Sequence, residues 1–330
     1  MNALSDEGRE PVYASDPDRQ PDADFEPGQL RHLVPGNRGR LLDPRRTPVS
    51  VLAVEPTVGF VLMRIEGFED AGASWRIPLE QYGHYQFEPG GARATEGAVA
   101  EMRAAIERFA RDQVIVAEPA ARAGTEARIT EYRRSARAWL QEHSAFLAEG
   151  RSLPHPSTRR GDPSLANDLQ AYLDERGLWA IEAAFTSGFV SNPGSGEIVR
   201  GHRIVLAELG LAGYAGRVVR DPATFEGEWT RHRRAEHIVE RLSFLRALFE
   251  MLGRREVTLW RGMASEGRRD PSLARTFVST SFDEAVARSH CDGHGPDRAG
   301  FLAVRDVPVE RLFMTYHETA AMNAAFLEAE

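Results

Sequence analysis

From Leu30 to about Phe87, short apolar runs alternate with turn residues: Val49-Ser50-Val51-Leu52-Ala53-Val54, a break at Glu55-Pro56, then Gly59-Phe60-Val61-Leu62-Met63-Arg64-Ile65. Such runs predict three to five strands, and their close spacing predicts a small β-rich, barrel-like domain over 30–90. Pro89-Gly90-Gly91 ends it, and the period then lengthens. Val99, Met102, Ile106 and Phe109 recur at helical spacing behind a helix start at Thr95-Glu96. A second helix is predicted from about 120 to 146, with Ile129, Tyr132, Ala136, Trp139 and Leu140 on one face. The breakers between Pro154 and Pro163 read as a linker, so 91–160 is a helical region with its linker. Further helices are predicted at about 164–175, 178–187 and 198–209, and a long one at 223–252. In the long helix the stripe Ile238, Leu242, Leu245, Phe249 and Leu252 is assigned to a core, and Arg231, Arg233, Arg234 and Arg241 to a solvated face. After Gly253 the pattern returns to short strands at 256–260, 276–282 and 300–304, the last extended or followed by 307–314, with a helix at 283–290. The expectation is an α+β chain with no internal repeat.

Composition narrows the chemistry. At 330 residues and 42% hydrophobic, the chain exceeds one typical domain and can bury a sizeable core. The single cysteine, Cys291, excludes an intramolecular disulfide and any Cys-rich zinc site. All 41 residues of the Lys+Arg count are arginine. Without lysine, Schiff-base catalysis and a phosphate loop of the Gly-Lys-Ser/Thr kind are excluded. Residues 1–27 hold eight acids against two arginines and so carry −6 of the net −8. With their prolines they place a disordered acidic tail at 1–29. The remainder is near neutral, which disfavours nucleic acid as a partner. No basic start leads into an apolar stretch and no run is long enough to span a bilayer, so cytoplasmic synthesis, no Sec-type signal and no membrane are expected.

Three short motifs stand in order near the C-terminus: Leu259-Trp260-Arg261-Gly262, Phe277-Val278-Ser279-Thr280-Ser281-Phe282, and Glu328-Ala329-Glu330. An arginine at the end of an apolar run is a bidentate donor for a pyrophosphate, and a Ser-Thr-Ser strand can hydrogen-bond a ribose or scaffold a site. A carboxylate pair can stabilise a sugar cation and activate a nucleophile. Each motif alone is a common surface feature. In this order, with 18 residues from Arg261 to Ser279 and 51 from Ser279 to Glu330, the set resembles the arginine-serine-glutamate class of mono-ADP-ribosyltransferases, a family of NAD-consuming toxins and effectors.

That resemblance implies an ADP-ribosyltransferase domain at 161–330. Its helical part would be 161–253, and a split mixed sheet over 254–330 would hold NAD in its cleft. NAD is then the substrate, and no metal is expected. Arg261 would hold the phosphates and adjoining ribose, with Gly262, Ser279, Thr280 and Ser281 completing the NAD contacts. Ser279 would brace Glu330 or contact the nicotinamide ribose, while Thr280 and Ser281 build the strand. Glu330 would stabilise the oxocarbenium-like transition state, and Glu328 would orient and deprotonate the acceptor. A glutamate at the first acidic position accompanies arginine-directed members, so the implied partner is a target protein bearing an acceptor arginine, with an immunity or antitoxin protein as a second. The loop 316–327 takes the place of the family's substrate-recognition turn, where Phe326 packs against a target or anchors the strand start. The family's strand continues past its glutamate whereas this sequence ends at Glu330: either the chain is truncated there, in which case poor activity is expected of it, or this glutamate sits on a frayed end. Three alternatives stay open: an NAD glycohydrolase, transfer to nucleic acid or a small molecule, and an inactive binding module whose N-terminal region does the recognition. His290-Cys291-Asp292-Gly293-His294 offers three metal-ligand types, but no second cluster completes a tetrahedral site.

Overall fold

The computed structural model describes residues 30–41, 46–66, 74–80, 85–154, 162–191, 196–265, 277–291, 299–322 and 328–329. The acidic tail expected at 1–29 lies outside them. The protein is mixed α+β with antiparallel sheets. Among the described residues no helix is long and apolar enough to cross a membrane. The chain divides into two compact units, residues 1–113 with 215–224 and residues 114–214 with 225–330.

In the first unit, β1 (Arg38–Leu41), β2 (Pro48–Glu55), β3 (Phe60–Ile65), β4 (Ser74–Pro78) and β5 (Tyr85–Phe87) form one sheet in the order β4-β3-β2-β1-β5. Every neighbouring pair is antiparallel. Alternation along β2 sends Val49 and Val51 inward, and a register shift between Val51 and Ala53 follows. The sheet is open, where the sequence pattern suggested a barrel. The inner face is closed by α1 (Glu96–Ala110), whose Val99, Met102, Ala105 and Phe109 join Leu41, Val49, Val61 and Met63 in one core. A helix that buries the apolar face removes the need for the sheet to curl onto itself. Thr95 caps α1 by accepting from the Ala98 amide at 3.2 Å, as its position ahead of the helix predicts.

The second unit contains α2 (Pro119–His143), α3 (Ala145–Ala148), α4 (Pro163–Asp174), α5 (Trp179–Ser191), α6 (Glu197–Glu208) and α7 (Arg231–Met251). The helix expected at 120–146 is thus broken. Ser144 interrupts it and caps α3, accepting from the Leu147 amide at 3.3 Å. The long helix begins at Arg231 rather than near 223, behind Thr230 as its cap and two short 3-10 turns at Pro222–Phe225 and Gly227–Trp229. Two strands without a signal in the sequence pattern, β6 (Asp112–Ile115) and β7 (Tyr214–Arg217), make a separate two-stranded sheet.

The long helix α7 is central to its unit. Ile238, Leu242, Leu245 and Phe249 are buried as the stripe predicts, but so are Val239, Phe244, Ala247 and Leu248 on its other sides. The reading of Arg234 and Arg241 as members of a solvated face is therefore corrected: both are 0% exposed. With three clusters of apolar residues packed around it, the helix has little face left for water.

The last sheet has the order β10-β8-β9-β11, with β8 (Glu256–Ser265), β9 (Thr280–Ser281), β10 (Ala299–Pro308) and β11 (Glu328–Ala329). Leu259 of β8 and Ala329 of β11 pack with Leu245 and Phe249 of α7 and with Leu312, which seats the sheet on the central helix. Of the strand expected over 276–282, Thr276 lies outside the described residues and the strand is Thr280–Ser281, preceded by Phe277 with a left-handed φ of 61°.

Candidate functional site

The strand β8 pairs with β10 along its whole length, from Ser265 opposite Ala299 to Glu256 opposite Pro308. Its other edge meets β9 at Trp260 opposite Ser281. Beyond β9 lies β11, with Glu328 opposite Ser281 and Ala329 opposite Thr280. Positions 260, 281 and 328, one from each sequence motif, thus form a single cross-strand row. Opposed positions in antiparallel strands lie about 4.5–5.5 Å apart at Cβ, so the row brings together residues far apart in sequence. The backbone of Glu328 is placed by this register. Phe326 and Glu330 lie outside the described residues.

Arg261, half-buried on β8, donates from Nη1 to the Ser279 carbonyl at 3.0 Å. The three hydroxyls have separate environments. Ser281 is buried, and its Oγ accepts from the Asp283 amide at 3.1 Å. Thr280 donates to the Ala329 carbonyl at 2.6 Å and so ties β9 to the acidic strand. Ser279 is the exposed member. Of the hydroxyls assigned to NAD from sequence, two are engaged in building the sheet and its turn, and Ser279 faces solvent.

Gly262 has a packing reason to be glycine. A Cβ there would overlap the Ala287 carbonyl of α8 (Glu284–Ser289), which lies across β8. Asp283 caps α8, accepting from the Ala285 and Val286 amides at 2.7 and 3.1 Å. The Cys291 thiol faces the Phe301 carbonyl at 3.1 Å. Asp292 and His294 of the weak metal motif lie outside the described residues.

Ahead of the hydroxyl strand, Phe277 packs its ring against Phe185, Phe189 and Phe313 at centroid distances of 5.8, 5.4 and 5.0 Å. A left-handed backbone at a non-glycine residue costs on the order of 1–3 kcal/mol and persists only where packing over-determines it. This aromatic cluster supplies such packing and aims the chain toward Ser279.

On the far side of β11, Thr315 bridges to Ala329. Tyr316 and His317 follow, both buried, with ring centroids 5.6 and 5.2 Å from Phe282. Among the described residues the Tyr316 hydroxyl and His317 Nδ1 are buried without a hydrogen-bond partner. Burial pushes the tyrosine up to about 12 and holds His317 down at about 4, so both are neutral near pH 7.

A chain of buried polar side chains runs beneath this turn. Arg234 contacts His202 Nδ1 at 2.6 Å, His202 Nε2 contacts His237 Nδ1 at 3.1 Å, and His237 Nε2 meets Glu182 at 2.7 Å. Arg241 donates from Nε to both Glu182 oxygens, at 3.2 and 3.0 Å, and reaches Glu318 at 3.4 Å. Burial lowers both histidines below their ordinary range. For Glu182, burial acts upward but is outweighed by Arg241 and His237, which hold it at about 2. A cavity lined by Leu169, Trp179, Glu182, Thr186, Glu318 and Thr319 adjoins the chain. Sequence reasoning missed these groups, although one signal was present: Arg234, His237 and Arg241 stand at i, i+3 and i+7 and share a helical face.

Comparison with protein-family models, with curated proteins and with solved structures returned no match.

Proposed function

We propose that the protein is an NAD-dependent mono-ADP-ribosyltransferase of the toxin and effector kind. It moves ADP-ribose from NAD to an acceptor arginine on a target protein and releases nicotinamide. On this reading β10-β8-β9-β11 belongs to the NAD-binding sheet of an ADP-ribosyltransferase fold. One observation supports the reading: strands bearing Arg261, the hydroxyls and Glu328 lie side by side in that order, with Trp260 opposite Ser281 and Ser281 opposite Glu328.

Cleaving the nicotinamide–ribose bond builds positive charge on the sugar while the pyrophosphate stays anionic, so a cation and an anion must stand at opposite ends of one short site. Arg261 supplies the cation, and its hydrogen bond to the Ser279 carbonyl orients it at the head of the hydroxyl strand. Glu330 supplies the anion at the ribose, and the exposed Ser279 braces it or contacts the nicotinamide ribose. Glu328 draws a proton from the acceptor guanidinium and orients it for attack on the sugar carbon. The Thr280 bond to the Ala329 carbonyl, centred between the two glutamates, keeps the acidic strand against the hydroxyl strand.

The test is incubation of the protein with NAD labelled in the ADP-ribose portion and a cell lysate. Label on protein, together with label on agmatine supplied as a free guanidine acceptor, supports transfer to arginine. Free ADP-ribose alone assigns a glycohydrolase, and label on nucleic acid assigns a different acceptor. Intact NAD after prolonged incubation excludes the proposal.

A further inference from the structure

We infer that Glu318, held by Arg241, is a positioning residue that sets the acidic strand β11 in register. The inference rests on the reading of β11 as the catalytic strand. Among the described residues strand β11 comprises Glu328–Ala329 and has β9 on one side. Its other described neighbour is Thr315, which bridges to Ala329. The position of Glu328 therefore depends on where Thr315 is held.

Thr315 is held by a buried carboxylate. Glu318 Oε1 accepts from the Thr315 amide at 2.8 Å and from the Thr319 hydroxyl at 2.9 Å, and Oε2 accepts from the Thr315 hydroxyl. The Thr315 hydroxyl in turn accepts from the His317 amide at 3.2 Å, which closes the turn on itself. Arg241 fastens this turn to α7, donating to the Phe313 carbonyl at 2.6 Å and the Thr319 hydroxyl at 2.5 Å, with Glu318 at 3.4 Å. Its other partner, Glu182 of α5, anchors the guanidinium from the opposite side. All of Thr315, Glu318, Thr319, Arg241 and Glu182 are buried. A buried ion group with several fixed partners has one low-energy geometry, because any displacement leaves charged or polar groups unpaired away from water. The Thr315 bridge to Ala329 is therefore placed from a point set by the helical core.

Three variants of the full chain test this: Glu318→Gln, Thr315→Val and Thr315→Ser. Hydrogen exchange is read for peptides spanning 312–330 and 256–265, alongside the kcat and KM for NAD cleavage. Glu318→Gln and Thr315→Val should accelerate exchange in 312–330 while leaving 256–265 at the wild-type rate, and Thr315→Ser should restore it. Because a misplacement of about 1 Å can cost on the order of a hundredfold, kcat should fall about ten- to a hundredfold with the KM for NAD unchanged. Exchange that stays at wild-type levels in 312–330, or accelerates equally in both peptides, overturns the inference. So does an unchanged kcat in both variants when wild type is active. If wild type does not turn over NAD, the functional reading fails, and the exchange comparison still decides whether Glu318 sets the strand. Thr315→Val preserves the buried charges, so it carries the test if Glu318→Gln does not fold.

Discussion

Arg261 donates through Nη1 to the Ser279 carbonyl at 3.0 Å, so the guanidinium on β8 is tied to the exposed residue that precedes the hydroxyl strand. An ammonium cannot reproduce a planar fork that donates to the backbone and to a phosphate together. Arg261→Lys is expected to weaken NAD binding about ten- to a hundredfold, the equivalent of one charge-assisted hydrogen bond of about 1.5–3 kcal/mol. Isothermal titration with NAD measures it, and wild-type affinity in the mutant removes Arg261 from the site.

Glu330→Gln keeps the size of the side chain and removes the anion. It is expected to lower both transfer and NAD cleavage about a hundred- to a thousandfold, as loss of preorganised charge at a developing transition state does. Nicotinamide release is the readout. Turnover at the wild-type rate would sink the assignment of 330 to the sugar cation.

Glu328→Gln should separate the two activities. A guanidinium is protonated at neutral pH and attacks only once a carboxylate takes a proton and orients it, whereas cleavage of NAD by water needs the charge at 330. ADP-ribosyl-agmatine should disappear while free nicotinamide continues to accumulate. Parallel loss of both would place Glu328 in the sugar site or the fold, and retained agmatine transfer would put the acceptor base elsewhere.

Gly262→Ala tests packing rather than chemistry. A Cβ at 262 overlaps the Ala287 carbonyl, so α8 must shift off β8. Overpacking of this kind costs about 1–3 kcal/mol. The urea midpoint should fall, and an unchanged midpoint would show that α8 yields freely at this point.

Stability should depend on pH through the buried histidines. His317 lies below its ordinary value, at about 4, because burial disfavours its charged form, and burial lowers His202 and His237 in the same direction. A group whose folded pKa is depressed leaves the unfolded chain binding more protons, so stability is full above about pH 6.5 and falls as pH drops toward 4. For His317 alone the full effect is about 3 kcal/mol. His317→Phe should flatten the urea midpoint between pH 6.5 and 4, and a slope equal to wild type would remove His317 as a source.

The strands β2 and β3, the helices α1 and α4, and the start of β8 were legible because each carries a period that its own residues impose. Val49 and Val51 alternate in β2, and Val99, Met102 and Phe109 recur at helical spacing in α1. The motif residues were legible as an ordered set but not as a geometry. Nothing in Ser279-Thr280-Ser281 reveals that Ser281 turns inward to the Asp283 amide while Ser279 stays exposed, since the left-handed Phe277 beside them is held by Phe185, Phe189 and Phe313 from other elements.

The sequence by itself determined the types of the strongly periodic elements, the chemistry excluded by absent lysine and the order in which arginine, hydroxyls and acids follow one another. Local spacing and residue type suffice for these. The tertiary structure alone decided that the first sheet stays open under α1, that Arg234 and Arg241 lie buried, and that positions 260, 281 and 328 share one row. The arginines show the reason. A buried cation is stable only where partners from distant segments meet it: Glu182 and the Phe313 carbonyl for Arg241, the Ile198 and Trp229 carbonyls for Arg234. Such partners are chosen by packing, and no spacing along the chain records them.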